Sequence, residues 1–241
     1  MTTEQKVPNH IAVILDGNGR WAKKRRLPRA LGHKQGCETL KSILDSCNDI
    51  GLKYLTVYAF STENWKRSDD EVAALMQLIR YYIPRLEKKA MKKNTRVLIM
   101  GDRARFAPDV IGILNSVEET TKNNTGLTFI LGLNYGGRDE IRRAMVKLGQ
   151  EIAAGTLKPE DITEDMISAR LDNPDVPDPD LIIRTSGEMR LSNFLTWQSA
   201  YSEFEFPAVL WPDFSDDDLE AAIAEYNGRD RRFGGRKSDG S

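Results

Sequence analysis

The sequence predicts an α/β fold, a single domain with a mainly parallel six-stranded sheet flanked by helices. A chain of 241 residues with 40% apolar content can bury one sizeable core. Six short apolar segments recur at strand length, and helical patterns separate most of them, as in a parallel sheet covered on both faces. We expect one domain over residues 1–241, with an ordered core at about 10–235 and a loose tail at 236–241. The predicted strands are 11–15, 55–60, 96–100, 128–133, 181–184 and 208–211.

The helices follow from apolar residues at helical spacing. The first runs from about residue 33 to residue 50 and ends at Gly51. Ser68 and Glu71 form a capping-box pattern before a long helix, which Pro84 is expected to interrupt and kink. Three further helices are predicted at about 108–122, 141–152 and 215–226.

The composition limits the possible classes of protein. Lys and Arg total 35 against 36 Asp and Glu, so the net charge of −1 gives no general attraction to nucleic acid or membrane. The basic run from Arg20 to Lys34 is local, and no nucleic-acid partner is expected. The apolar runs are too short to cross a bilayer, and no signal peptide is recognisable, which predicts a cytoplasmic protein. Cys37 and Cys47 lie on an apolar helical stripe, which is typical of reduced core thiols.

The most informative stretch is the first predicted strand and the turn that follows it. Five apolar residues end in Asp16, Gly17 and Gly19 free the backbone, and a series of cations follows. A carboxylate delivered into a glycine turn beside cations is suited to a phosphorylated ligand held through a divalent metal. The turn lacks the Walker and dinucleotide-binding glycine patterns.

Further polar residues follow other predicted strands, where open α/β sheets bind ligands. Arginines and hydroxyls suit phosphate oxygens, and Mg²⁺ can bridge carboxylate to diphosphate. With only two histidines, general-base work would fall to a carboxylate or an activated amide. A salt-bridged sheet edge is the alternative interpretation. The set comprises Asp16, Asn18, Arg20, Ser61, Asn64, Arg67, Arg184, Arg190, Ser192 and Glu203.

Aromatic and acidic residues near these positions have two interpretations each. Trp21 and Trp65 beside the cations indicate an amphiphilic ligand, or else they pack in the core. The acidic clusters at 69–71 and 216–218 resemble diphosphate-binding motifs, but each follows a serine and opens a helix. Helix capping is therefore the favoured explanation of both clusters.

Five ordered blocks of sequence give the chain a specific resemblance. They are HIAVILDGNGRW at 10–21, YAFSTENW at 58–65, NYGGR at 134–138, DPDLIIRTSGE at 178–188 and WPDF at 211–214. With these blocks the chain resembles the cis-prenyltransferases, and among them the bacterial undecaprenyl diphosphate synthases. The resemblance implies an apolar tunnel and a Mg²⁺-dependent condensation of isopentenyl diphosphate onto an allylic diphosphate, commonly farnesyl diphosphate, in Z geometry.

The resemblance also implies roles for individual residues. Asp16 would bind Mg²⁺ and help to ionise the allylic diphosphate, Asn64 would accept a proton, and Glu203 would be a second metal ligand. The allylic diphosphate would be held by Gly17, Asn18, Gly19, Arg20, Trp21, Arg29 and His33. The second motif contributes Ser61, Thr62, Glu63, Trp65 and Arg67, and isopentenyl diphosphate would be bound by Arg184, Arg190, Leu191 and Ser192.

Other expectations concern assembly and product. The family implies a homodimer, in which Arg232 and Gly234 reach an active site near the interface. It further implies a long product such as undecaprenyl diphosphate for the cell-wall lipid carrier, and transient contact with the inner membrane face. A short- or medium-chain Z-prenyl diphosphate synthase is the alternative, and a catalytically silent partner subunit is a second one. Glu205 departs from the apolar or aromatic residue usual at this position.

Overall fold

The computed structural model describes residues 6–229, and the predicted roles of Arg232 and Gly234 lie outside them. Within this range six parallel strands form one sheet in the order β3-β4-β2-β1-β5-β6. The strands are β1 (His10–Ile14), β2 (Tyr54–Ser61), β3 (Arg96–Met100), β4 (Thr128–Tyr135), β5 (Leu181–Arg184) and β6 (Glu203–Glu205). The predicted α/β fold class is confirmed.

Seven α-helices connect or follow the strands of the described range. They are α1 (Asn18–Lys24), α2 (Arg29–Asp49), α3 (Asp69–Lys93), α4 (Pro108–Thr121), α5 (Gly137–Ala153), α6 (Glu164–Ser168) and α7 (Asp216–Gly228). Helix α2 begins four residues before the prediction, and it ends as predicted, with Gly51 in the left-handed region at φ +75°. None of the helices between residues 6 and 229 is long and apolar enough to cross a membrane.

The sheet is buried on both faces. Alternate residues of β1 enter different clusters, with Ile11 and Val13 on the side of α2, α3 and α4, and Ala12 and Ile14 against Phe194 on the other side. All five residues of β1 are buried, as expected for a central parallel strand. Cys47 is buried in the first cluster, and both cysteines are free thiols, which confirms the predicted core role of Cys47.

The sixth predicted strand, at 208–211, is wrong. The sixth strand is Glu203–Glu205, which pairs with β5, whereas Trp211 opens a short 3₁₀ helix that contains Pro212. The backbone of this segment bonds to loops instead: Val209 accepts from the Ser186 N–H at 2.7 Å and the Trp211 N–H donates to the Asp16 carbonyl at 2.9 Å. The segment is apolar because it covers the core next to the glycine turn.

Two details of α3 also differ from the prediction. The predicted interruption at Pro84 is wrong, because the helix continues through this residue. Ile79 and Ile83, in the turn before it, are buried against the core, and the predicted kink stays a prediction. The capping box of Ser68 and Glu71 does not form, since the Ser68 side chain makes no cap hydrogen bond and Glu71 binds Arg67. At α7 the favoured capping explanation is confirmed, because Ser215 and Asp218 form a reciprocal capping box.

Candidate active site

A cavity of about 1440 Å³ extends from the carboxyl ends of the central strands into the space between the sheet, α2 and α3. Its polar lining includes many of the predicted site residues: Asp16, Gly17, Asn18, Gly19, Arg20, Arg29, His33, Ser61, Glu63, Asn64, Arg67, Arg184 and Ser192. Its apolar lining includes Leu40, Leu44, Leu75, Leu78, Ile79, Ile83, Leu86, Phe129, Leu131, Leu133 and Leu191. The cavity therefore combines a charged region with a long apolar region.

Local backbone geometry places Asp16 at the polar region. Gly17 has a φ of +112°, which favours glycine, and a side chain there would also meet Leu210 at 3.0 Å. The buried Thr185 hydroxyl donates to the Asp16 carbonyl at 2.7 Å and accepts from the Asp16 N–H at 3.1 Å. The Thr185 hydroxyl thus binds both backbone polar groups of Asp16 and fixes the backbone that carries the carboxylate.

Two arginines neutralise the Asp16 carboxylate. Arg184 Nη2 donates to Asp16 Oδ2 at 2.8 Å, and Arg20 Nη2 lies 3.2 Å from Oδ1. Burial alone raises the pKa of Asp16, but the hydrogen bond and charge of Arg184, with those of Arg20, outweigh it and leave the pKa below its usual value. Asp16 is therefore ionised at neutral pH.

Arg184 is the buried centre of this charged region. It is only 5% exposed, and its Nη1 donates to the Arg190 carbonyl at 2.5 Å and to Ser192 Oγ at 2.7 Å. Its Nε is buried without a hydrogen-bond partner. These contacts orient the guanidinium towards Asp16 and leave one donor unsatisfied, as expected for a residue beside an anion site.

A carboxylate bridges two exposed arginines at the rim. Glu188 accepts from Arg20 Nη1 at 2.9 Å through one oxygen and from Arg190 Nη1 at 2.5 Å through the other. The Arg190 side chain is 60% exposed and lies outside the cavity lining. The two oxygens of Glu188 thus each accept a hydrogen bond from one arginine, and the oxygens of a phosphate group could accept the same two bonds.

Glu71 collects three other predicted site residues at a second part of the polar region. Its Oε1 lies 2.7 Å from Arg67 Nη1, 3.2 Å from Arg29 Nε and 3.4 Å from His33 Nε2. Burial lowers the pKa of His33, and the charge of Arg67 lowers it further in spite of Glu71. This cluster carries two fixed positive charges and one fixed negative charge beside a neutral imidazole.

Hydrogen bonds fix the polar side chains of the segment that follows β2. Asn64 lies in the 3₁₀ helix Thr62–Lys66 and lines the cavity, where its Oδ1 accepts from the Ser61 N–H at 3.1 Å. Glu63 accepts from Asn193 Nδ2 at 2.9 Å, which joins this segment to the loop after β5. The Asn64 amide is therefore oriented by its own turn.

Some predicted site residues lie away from the cavity. Trp65 packs edge-on against Phe60 at 5.0 Å and donates to Asn134, so core packing accounts for it. Trp21 donates to Asp213 at 2.6 Å and stacks under Arg25. Neither indole nor Thr62 lines the cavity, and their predicted roles in substrate binding stay predictions.

Glu203 does not meet Asp16 within one chain. Strand register pairs Glu203 with Leu181, whereas Arg184, the partner of Asp16, lies three residues further along β5, or about 10 Å at a strand's rise per residue. Glu203 is instead paired with Arg229 at 2.9 Å. Its role as a metal ligand stays a prediction, and Glu205, the departure noted in the sequence, also pairs with Arg229.

The residues of the polar region can hold a magnesium ion only together with a bound diphosphate. Residues 6–229 contain no group of three or more His, Cys, Asp or Glu side chains placed to hold a metal. Mg²⁺ commonly binds through one or two carboxylates, substrate phosphates and water, so Asp16 with a diphosphate would suffice. Asp16 lines the cavity and lies beside Arg20 and Arg184, whereas Glu71 and Glu188, which also pair with arginines, lie outside the lining.

Several residues that shape the site were missed by the sequence interpretation. A Cβ on Gly32 would lie 2.1 Å from the Asn18 carbonyl oxygen, and one on Gly36 would lie 2.2 Å from Asn18 Oδ1. These two glycines, four residues apart on α2, let the glycine turn lie directly against the helix. The four-residue spacing of Gly32 and Gly36 could have indicated a close approach to this face of α2. No pattern in the sequence indicated the roles of Thr185 and Glu71, because these roles depend on contacts between residues far apart in the chain.

The cavity and its charged region agree with comparisons to known proteins. The family described as putative undecaprenyl diphosphate synthase matches residues 14–234. The chain belongs to this family. It is therefore a prenyltransferase of isoprenoid biosynthesis, and the predicted enzyme class is confirmed.

Individual relatives match over nearly the full length. An isoprenyl transferase of Rhizobium meliloti (strain 1021) is 51% identical over 95% of this chain and 93% of its own, and one of Clostridium perfringens (strain 13 / Type A) is 52% identical over 97% and 92%. Lavandulyl diphosphate synthase from Lavandula x intermedia, solved in complex with dimethylallyl diphosphate, superposes with a TM-score of 0.92 at 35% identity, covering 94% of this chain and 98% of that one. A probable undecaprenyl diphosphate synthase from Campylobacter jejuni superposes with a TM-score of 0.78 at 32% identity, covering 95% of this chain and 99% of that one.

Proposed function

We propose that this prenyltransferase elongates an allylic diphosphate, in particular farnesyl diphosphate, with successive isopentenyl diphosphates in Z geometry. The product is a long polyprenyl diphosphate such as undecaprenyl diphosphate, the precursor of a cell-wall lipid carrier. The observation that carries the proposal is that a charged region and a long apolar region belong to one and the same cavity. At about 1440 Å³ it exceeds the roughly 300–1,000 Å³ of ordinary small-molecule pockets.

The residues of the charged region have separate tasks in this reaction. Arg20, Arg29 and the glycine turn bind the allylic diphosphate, and Asp16 would hold Mg²⁺ against it. When bound, Mg²⁺ neutralises charge that develops on the departing diphosphate. Arg184, Ser192 and Arg190 bind isopentenyl diphosphate, whose reacting carbon must then approach the allylic carbon.

The remaining tasks are proton removal and the exclusion of water. Asn64 lines the cavity and is the proposed acceptor of the proton that the isopentenyl unit loses. Because a neutral amide cannot retain this proton, it passes on to the departing diphosphate. The apolar lining between α2 and α3 shields the carbocation from water and takes up the growing chain.

Product sizing tests the proposal. The purified chain is incubated with farnesyl diphosphate and radiolabelled isopentenyl diphosphate, with Mg²⁺ or with a chelator, and the products are separated by chromatography. We expect a ladder that ends in a long polyprenyl diphosphate and requires Mg²⁺. The absence of any labelled condensation product would contradict the proposal.

A shorter product is the second candidate. The structural similarity to lavandulyl diphosphate synthase favours it, because the same fold serves a synthase crystallised with a five-carbon allylic diphosphate. In the same assay, a product that stops after one or two additions with excess isopentenyl diphosphate would select this candidate.

A further inference from the structure

The turn between α1 and α2 carries features that the proposed reaction does not use. From Arg20 to Lys34 the sequence contains seven Lys or Arg residues and no acid, and residues 23–31 are all exposed. We call the exposed residues of this segment the basic turn: Lys23, Lys24, Arg26, Leu27, Leu31 and Lys34.

Two leucines are exposed among these cations. Leu27 is 38% exposed and Leu31 is 42% exposed. Arg26 adopts a left-handed backbone at φ +56°, which is unusual for a residue other than glycine, and reverses the chain just before Leu27. On α2, Leu31 and Lys34 are three residues apart and therefore share one helix face. The basic turn thus presents apolar and cationic side chains together.

Most charges of the basic turn have no acidic neighbour in the part of the chain that the structure describes, although Lys34 lies near Glu38 and adds to the effect of Lys41 and Tyr82, which lower the pKa of that carboxyl. Arg25 pairs with Asp213 and Arg29 with Glu71, so these two cations are engaged. Within residues 6–229, Lys23, Lys24, Arg26 and Lys34 form no ion pair. Since the whole chain has a net charge of only −1, the surplus of positive charge is local to this surface.

The basic turn also borders the cavity. Lys23, Arg26 and Leu27 belong to its lining, in common with Arg29 of the substrate region. A surface that docks through this turn would therefore cover or face the mouth of the cavity. This matters for a ligand with a long hydrocarbon chain, which is poorly soluble in water.

We propose that the basic turn docks the enzyme on the surface of an anionic lipid bilayer. The inference rests on the proposed function, because a long polyprenyl product needs a membrane to receive it. Each Lys or Arg close to an anionic bilayer strengthens binding by about fivefold, and the two leucines add insertion of apolar surface. Nucleic acid fits the surface less well, since phosphates alone provide no partner for exposed leucines.

Vesicle sedimentation of the full chain tests this surface. We expect binding to vesicles of phosphatidylcholine with about a third phosphatidylglycerol, weakened by salt, and little binding to phosphatidylcholine alone. The variant with Lys24→Glu, Leu31→Ser and Lys34→Glu should bind the anionic vesicles at least about tenfold more weakly. The matched control, with Lys88→Glu, Met91→Ser and Lys92→Glu on exposed positions of α3, should bind as the parent does.

Activity separates this inference from the proposed function. Lys24, Leu31 and Lys34 lie outside the cavity lining, so kcat and KM with soluble diphosphate substrates should match the parent in the absence of vesicles. Equal vesicle binding by the parent and the basic-turn variant would overturn the docking surface even if product synthesis is normal. A rise in KM with unchanged vesicle binding would also overturn it and assign the turn to the recruitment of substrate.

Discussion

The contact between Asp16 and Arg184 explains how one carboxylate can be kept ionised in a partly buried site. Arg184 is 5% exposed and satisfies Asp16, Ser192 and a backbone carbonyl at once. A planar guanidinium can serve these acceptors together because its donors point in different directions in one plane. A lysine has one compact ammonium group and cannot reproduce this arrangement.

Substitution of Arg184 by lysine therefore tests the geometry of the site rather than its charge. We expect Arg184→Lys to lower kcat/KM for isopentenyl diphosphate by at least about tenfold, with the same fold. Arg80→Lys is the matched control, because Arg80 makes an exposed pair with Asp109 outside the cavity. Steady-state kinetics measure the effect, and equal values for both variants would show that charge alone suffices.

Glu188 occupies the position of a competing anion between Arg20 and Arg190. We expect Glu188→Gln to lower the KM for the diphosphate substrates by about two- to fivefold, since both arginines lose a charged competitor. Asp109→Asn, which frees the distant Arg80, should leave the KM unchanged. A higher KM in Glu188→Gln would mean that Glu188 orients these arginines for substrate.

His10 couples stability to pH at the opposite end of the sheet. Burial lowers its pKa from 6.5 to about 4, against weaker opposing contacts that include a hydrogen bond with the Pro177 carbonyl. The neutral form is thus favoured in the folded state, so its stabilisation is complete above pH 6.5 and is lost as the pH falls towards 4.

Thermal unfolding between pH 7 and pH 4 measures this coupling. We expect the parent to lose on the order of 3 kcal/mol of unfolding free energy to His10 over this range. His10→Gln cannot gain a proton, so its stability should be lower at pH 7 and should fall less steeply with acid. Identical slopes for parent and variant would assign the acid sensitivity to other groups.

At the scale of elements, the packing of α2 against the glycine turn is the critical contact. A Cβ on Gly32 would lie 2.1 Å from the Asn18 carbonyl oxygen, whereas one on Gly112 of α4 would meet nothing within 4 Å. Substitution by alanine is therefore expected to lower the stability of the fold at Gly32 and to raise it at Gly112.

Gly32→Ala should destabilise the fold by about 1–3 kcal/mol and lower kcat by displacing the turn that carries Asp16. Gly112→Ala should leave activity unchanged and raise stability by up to about 1 kcal/mol, because alanine costs less backbone entropy in a helix. Chemical denaturation and steady-state kinetics measure both effects. A Gly32→Ala enzyme with parental stability would show that α2 can shift without cost.

The elements also show why the sequence predicted some features and missed others. Five strands were found from their apolar runs, because a central parallel strand such as β1 is buried on both faces. β6 was missed, since Glu203–Glu205 is a short edge strand of intermediate burial with two charged residues. The apolar segment at Trp211 was mistaken for a strand because burial alone does not determine backbone pairing.

At the scale of the whole molecule, the motifs predicted many of the polar residues that line the cavity, but neither how these residues pair nor that Arg190 and Glu203 lie outside the lining. Asp16 and Arg184 are far apart in the sequence, and the ends of β1 and β5 bring them together. Glu71 was attributed to helix capping, yet it binds Arg67, Arg29 and His33. Pairings of this kind depend on long-range contacts, which periodicity and spacing along one chain cannot specify.

The central claim is that Asp16 promotes departure of an allylic diphosphate with Mg²⁺, and one comparison tests it most directly. Condensation of farnesyl and isopentenyl diphosphates is measured for the parent and for Asp16→Asn, with Mg²⁺ or with a chelator, at saturating substrate. We predict that the substitution or the removal of metal lowers kcat by about a thousandfold or more, while thermal unfolding shows a folded protein. A folded Asp16→Asn enzyme with near-parental kcat would contradict the account.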